Sequence, residues 1–166
     1  MNENKHPFEW IVIGAMNGQT CSVCGKTMND FLPQLCSFET YGLFKFGHPE
    51  FEAVIQMRPE TLTKLLNLLG IAVAAGERFK EGEKIHFEGL DDEVHLKAFH
   101  YDGQKYLRLI FPDSDGRYPE EAGCKYPFNM QLKNIDELST KNECNCSRVF
   151  IGKTLYQKNK NDDESK

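Results

Sequence analysis

The stretch that most constrains this chain is residues 38–50, Phe-Glu-Thr-Tyr-Gly-Leu-Phe-Lys-Phe-Gly-His-Pro-Glu. It joins a strongly β-prone segment to a tight turn carrying His48, Pro49 and Glu50. Aromatic and β-branched side chains at Phe38, Thr40, Leu43, Phe44 and Phe46 suit a pleated, half-buried surface. Gly47 and Pro49 interrupt that surface, and a second apolar run restarts at Phe51. The pattern predicts strand, turn, strand, with the first strand over residues 36–46 and the next over 51–57.

The remaining elements are placed around that pair. Residues 8–16 are apolar and β-branched enough for a strand, and Asn17-Gly18 is a turn signal directly after it. Met28, Phe31, Leu32 and Leu35 have weak helical spacing, which Pro33 limits to a turn or so. The clearest helix starts at Arg58-Pro59, where proline suits the first helical position and Glu60 the first turn. Its residues Leu62, Leu65, Leu66, Leu69 and Val73 form one apolar face, Gly70 weakens it, and Gly76 stops it. A short strand over 84–87 follows, then two runs around Val94, Leu96 and Ala98 and around Tyr106, Leu107, Leu109 and Ile110. Asp102-Gly103 between those runs is a hairpin signal. The fold class read from this is α+β: a mostly antiparallel sheet of about five to six strands, with one long amphipathic helix packed on one face.

Composition decides what surrounds that core. The chain has 166 residues, enough to bury a core without staples, and residues 1–156 are expected to form a single α+β domain. Residues 149–156 are a candidate edge strand. From Gln157 onward almost every side chain is Lys, Asn, Asp or Glu, so residues 157–166 are expected to be a disordered polar tail. A net charge of −5 signals no general nucleic-acid surface. The first apolar stretch contains Glu9 and is broken by Gly14 and Gly18, too interrupted for a signal segment or a membrane span. A cytoplasmic protein without membrane contact is therefore expected. Its partner is read no further than a protein or a small molecule.

Two groups of residues carry chemistry. His48 and Glu50 lie at one turn and Asp113 and Asp115 at another, so an imidazole and carboxylates brought together there would suit acid–base work or a hard metal. On that reading His48, Glu50 and Asp113 are the candidate catalytic residues of a hydrolase-like enzyme. The competing structural reading has His48 and Glu50 binding backbone groups at a proline turn, and the aspartates as ordinary turn formers beside Pro112 and Gly116. The second group is Cys21-x-x-Cys24-Gly25 with Cys144-x-Cys146. These spacings allow one structural zinc on four thiolates, and equally four unligated thiols with Cys21 and Cys24 as a redox pair. Cys36 and Cys124 sit among apolar neighbours and read as small core fillers. Neither Gly25-Lys26-Thr27 nor Gly152-Lys153-Thr154 has the earlier glycine of a phosphate-binding loop, since Thr20 and Ser147 stand there.

Several landmarks recur in a fixed order: Thr40-Tyr41-Gly42-Leu43, Gly47-His48-Pro49-Glu50, Leu65-Leu66-Asn67, Gly76, Phe79, Gly82, Phe111-Pro112-Asp113, Gly116-Arg117-Tyr118-Pro119 and Gln131. In that order and spacing the chain, over about residues 36–131, resembles the bacterial domain-of-unknown-function family number 4262. Two departures mark this chain: Glu39 in place of the usual aromatic residue, and a plain hairpin between the helix and the Pro-Asp loop. The resemblance implies the fold outline and a cytoplasmic bacterial setting, and it carries no reaction. Thr40, Arg117 and Gln131, polar members of the landmark set, are the candidate binding residues. An interaction or ligand-binding module, its polar turns forming a recognition surface, is the leading functional expectation, and the hydrolase-like enzyme the alternative.

Overall fold

The computed structural model describes residues 8–21 and 23–140. In chain order the elements are β1 (Ile11–Ala15), β2 (Gln19–Thr20), β3 (Thr27–Met28), β4 (Leu35–Tyr41), β5 (Glu50–Ile55), α1 (Pro59–Ala74), β6 (Lys84–Ile85), β7 (Val94–Tyr101), β8 (Gln104–Ile110) and α2 (Ile135–Leu138). Single 3-10 turns occupy Leu43–Phe46 and Phe128–Met130. Six strands form one sheet in the order β1-β4-β5-β8-β7-β6, and β2 and β3 make a separate small hairpin. Every pairing in the large sheet is antiparallel except β5 with β8, which run parallel at its centre. The α+β class, the mostly antiparallel sheet and the single main helix are as the sequence pattern implies.

The helix α1 packs on the half of the sheet made by β1, β4 and β5 and on the turn Leu43–Phe46. Its apolar stripe, Leu62, Leu65, Leu66, Leu69 and Val73, is buried with Gly70. Each such side chain contributes about 1.5–3 kcal/mol when withdrawn from water. Pro59 opens α1 at its first position and Glu60 lies in its first turn. At the other end Gly76 takes φ 110°, a left-handed value that suits glycine. The Glu77 N–H then reaches back to Ala72 O at 2.9 Å and closes the helix end. Trp10 binds β1 to this helix. Its Nε1–H donates to Asn67 Oδ1 at 2.8 Å, and its indole lies flat where a side chain at Gly70 would stand.

The strand expected over residues 36–46 stops at Tyr41. Gly42 takes φ 128°, and the backbone then coils through the Leu43–Phe46 turn instead of continuing extended. The turn forms because the Gly42, Leu43 and Phe44 N–H groups converge on the Glu50 side chain, which sequence pattern alone does not reveal. Glycine is required at position 42, since an added Cβ would meet Glu9 O and Trp10 Cα at 2.8 Å. The weak helical spacing over 28–35 yields no helix. Phe31 makes an isolated bridge to Ser139, and Gln34 adopts φ 64°. The hairpin at Asp102-Gly103 forms as its sequence implies, with φ 52° and 73° at the two turn residues. The candidate edge strand over 149–156 and the polar tail 157–166 lie outside the described residues.

Replacing Gly70 with alanine sets two effects against each other. Helix propensity favours alanine by about 1 kcal/mol. The new Cβ, however, would lie 2.6 Å from Trp10 Cζ2, and the indole is held by Asn67. Overpacking of this kind costs about 1–3 kcal/mol. Gly70→Ala is expected to lower the urea midpoint, and a midpoint at or above that of the parent chain shows that Trp10 yields freely.

Candidate functional site

The turn after the Leu43–Phe46 coil is held by two side chains whose polar atoms all point inward. Glu50, at the start of β5, accepts from Thr40 Oγ1–H at 2.7 Å, Gly42 N–H at 3.1 Å, Leu43 N–H at 3.2 Å and Phe44 N–H at 3.2 Å. Thr40 Oγ1 in turn accepts the Phe51 N–H at 3.0 Å, tying β4 to β5. The His48 Nδ1–H donates to Pro49 O at 2.7 Å, while Nε2 accepts the Phe79 N–H at 3.0 Å. Those partners assign the proton to Nδ1 and leave neither ring nitrogen facing a substrate. Burial lowers the His48 pKa; the hydrogen bond to Pro49 opposes this and Arg78 adds to the lowering. The ring packs against Phe51 and Phe79 at centroid distances of 5.2 and 6.0 Å.

Asp113 closes a different loop. Its Oδ1 accepts from the Asp115 and Arg117 N–H groups, each at 2.9 Å, and its Oδ2 from the Lys125 N–H at 2.8 Å. Burial alone would raise its pKa, but these backbone donors outweigh it and hold the carboxyl below its usual range. Gln131 is fully buried and pairs like a strand with Phe111. It accepts the Phe111 N–H at 2.8 Å and donates to Phe111 O at 2.7 Å and Phe128 O at 2.8 Å. Arg117 is partly exposed and lies 3.4 Å from Asp115.

The structure does not bring the three nominated catalytic residues together. In the parallel β5–β8 pair Glu50 stands opposite Tyr106. Asp113 lies seven residues further along the chain from Tyr106, past the far end of that strand, roughly 20 Å away at strand spacing. His48 and Glu50 are neighbours, and Asp113 belongs to the opposite end of the sheet. Thr40 belongs with Glu50, and Arg117 and Gln131 belong with Asp113, so the candidate binding residues are divided in the same way.

A polar row missed in the sequence crosses the sheet face that alternates away from α1. Glu39, Glu52, Arg108 and Lys97 are consecutive register partners across four strands, and Ile13 of β1 stands opposite Glu39 at the end of the row. Glu52 and Arg108 are fully buried and paired at 2.7 Å, and the guanidinium lies 3.6 Å over the Phe99 ring. Arg108 Nη1 donates to Gln131 O and Lys133 O, each at 2.7 Å, whereas Nη2 has no partner among the described residues. Tyr101 donates its hydroxyl to Glu52, and burial followed by that carboxylate pushes the hydroxyl pKa upward. The row was hidden because Glu39, Glu52, Arg108 and Lys97 each read as a lone polar residue within a separate strand. Only the register aligns them.

Two cavities open near these groups. One of about 500 Å³ lies against the His48 turn, between Phe44, Gly47 and Pro49 on one side and Gln104 and Lys105 of the β7–β8 hairpin on the other. The second, about 290 Å³, is lined by Asp30, Ser37, Glu39, Tyr101, Asp102 and Asp136. Cys21 is buried and Cys24 exposed, both in the small hairpin joining β2 to β3; Cys144 and Cys146 lie outside the described residues. Among the described residues no three His, Cys, Asp or Glu side chains are placed to hold one metal ion. Nor is any described helix long and apolar enough to cross a membrane.

Fold and site together define an α+β protein whose mixed sheet carries one main helix and whose turns are fixed by buried carboxylates. The chain belongs to the family described as a domain of unknown function, DUF4262, whose model matches residues 30–125. No curated protein and no solved structure matches it.

Two stability measurements test the turn. Glu50→Gln removes the charged acceptor of three backbone N–H groups and is expected to cost about 3 kcal/mol in denaturant unfolding; a loss near zero shows the turn to be held otherwise. Because the folded pKa of His48 is depressed, the unfolded chain takes up the proton first, so this residue's contribution is complete above about pH 6.5 and declines as pH falls toward the folded value. His48→Phe is expected to flatten that part of the stability–pH profile. An unchanged slope places its origin elsewhere.

Proposed function

We propose that the protein is a ligand-binding module, with its ligand seated in the cavity beside the His48 turn. The observation that carries this reading is the division of labour in that wall. His48 and Glu50 spend their polar atoms on the chain's own hydrogen bonds, while Phe44, 55% exposed, and Lys105, also exposed, remain at the opening. A rigid wall lowers the ordering cost of binding, and a pocket of about 500 Å³ falls in the size range of small-molecule sites. An aromatic face, one cation and the Gln104 amide suit a planar apolar group bearing a carboxylate. A cytoplasmic, bacterial setting belongs to the same reading. The free thiols of Cys36, which is buried, and of Cys124 suit a reducing compartment and support the cytoplasmic part of it.

Titration of the isotopically labelled chain with benzoate, benzylamine and benzyl alcohol tests this. Benzoate is expected to shift the amide resonances of Phe44, Gly47, Gln104 and Lys105, and the other two much less. Lys105→Ala and Phe44→Ala should each weaken benzoate by about tenfold with an unchanged melting temperature. Equal shifts from all three probes, or shifts confined to another surface, overturn the assignment.

A further inference from the structure

The cavity of about 290 Å³ shares no lining residue with the one beside the His48 turn. Three parts of the fold build it. Strand β4 contributes Ser37 and Glu39, two residues apart and so on one face. The β7–β8 hairpin contributes Tyr101 and Asp102, and Asp30 and Asp136 come from the segment before β4 and from α2. Asp30 is buried and Glu39 half-buried, whereas Asp102 and Asp136 are exposed. Among the described residues no Lys, Arg or His lines the cavity.

One hydroxyl in this wall is left over. Tyr101 donates its hydroxyl to Glu52, Ser139 donates to Ile135 O at 2.8 Å, and Thr140 donates to Asn29 O. Ser37 is only 7% exposed, yet its hydroxyl has no hydrogen-bond partner among the described residues. Nor is its oxygen sealed in protein, since the one sealed side-chain N or O atom without a partner among those residues is Arg108 Nη2. The Ser37 hydroxyl therefore faces the cavity, its lone pairs open to a donor. A buried hydroxyl in that position is destabilising until a bonding group reaches it.

The charges decide what that group is. Four carboxylates line the space, while the buried Glu52 beside Tyr101 is already answered by Arg108. Their field repels a carboxylate or phosphate and favours a cation. A single metal ion does not suit them, because among the described residues no three His, Cys, Asp or Glu side chains are placed to hold one. The charges stand on separate walls, and Phe31 and Ile135 add apolar surface. That combination fits a flexible apolar chain with a positive charge at each end. Both nitrogens of an aliphatic diamine are protonated at neutral pH, as a lysine side chain is. Each ammonium brings three N–H donors and no acceptor, which matches a hydroxyl and carboxylates that offer lone pairs.

We propose that the cavity between β4, the β7–β8 hairpin and α2 is a binding site for a small aliphatic diamine, with one ammonium bonded by Ser37 and the other drawn to the exposed carboxylates of Asp102 and Asp136. The cavity volume lies at the lower end of small-molecule sites, so the chain it takes is short.

Calorimetric titration of the full chain at low ionic strength, with cadaverine, pentylamine and magnesium chloride as probes, tests this. Cadaverine is expected to bind at least about tenfold more tightly than pentylamine, which stands in for a single lysine side chain, and to weaken as salt is added. In the isotopically labelled chain it should shift the amide resonances of Ser37, Asp102 and Asp136 and leave those of Phe44 and Gly47 in place. Because the Ser37 hydroxyl has no partner in the free protein, Ser37→Ala should weaken cadaverine by about fivefold without lowering the melting temperature. Asp102→Asn and Asp136→Asn should each weaken it by a similar factor, and asparagine tolerates the φ 52° of position 102. Three results overturn the proposal: no binding of cadaverine, pentylamine or magnesium bound as tightly, or full affinity in the double variant Asp102→Asn with Asp136→Asn. Should Ser37→Ala fail to fold, the aspartate variants and the map of shifted resonances decide.

Discussion

One carboxylate at the start of a central strand determines how this sheet is entered. Glu50 gathers three successive backbone N–H groups from the turn before it and the hydroxyl of Thr40 from the neighbouring strand. Buried N–H groups without acceptors cost about 1–3 kcal/mol each, so the turn needs this acceptor to leave water. Once the turn is set, His48 is carried to the N–H of Phe79, and the chain leaving α1 is fastened to the sheet. Arg78 reinforces the same junction by donating to Phe46 O at 2.9 Å and Val73 O at 3.2 Å. The residues that look most like acid–base chemistry thus hold the frame.

The opposite face is organised by the fully buried pair Glu52 and Arg108. Desolvating both charges is costly, and the pair persists because geometry returns much of that cost: a 2.7 Å ionic contact, two carbonyls on Nη1 and an aromatic ring beneath the guanidinium. Hydrogen bonds from Arg108 to Gln131 and Lys133 also draw the segment before α2 across the sheet. A hydrophobic pair of equal volume would fill the space without selecting that segment.

Much of the fold was legible in the sequence because it rests on local signals. The period of Leu62, Leu65, Leu66 and Leu69, the Asp102-Gly103 turn and the alternation in β7 each speak for one element. The early end of β4 was not legible, since Phe44 and Phe46 have strand-like propensity and only a side chain several residues later overrides it. The His48 turn was half legible: its residues were evident, and their partners, set by folding, were not. Asp113 shows the limit most plainly. The pairing of β5 with β8 in parallel, unlike every other pair in the sheet, places it at the opposite end from Glu50.

That parallel pair also divides the sheet into two halves with different assembly problems. The strands β1, β4 and β5 form one antiparallel group under α1, and β8, β7 and β6 form another built largely from a hairpin. Within each group most closures are short, whereas joining β5 to β8 closes a loop of more than fifty residues and carries the larger entropy loss. Arg108 and Glu52 meet at that seam. Before the halves dock, each charge remains hydrated on its own half; after docking, neither is tolerable without the other. The ion pair therefore couples the two halves, because a seam loosened too little to admit water leaves each charge buried without its partner.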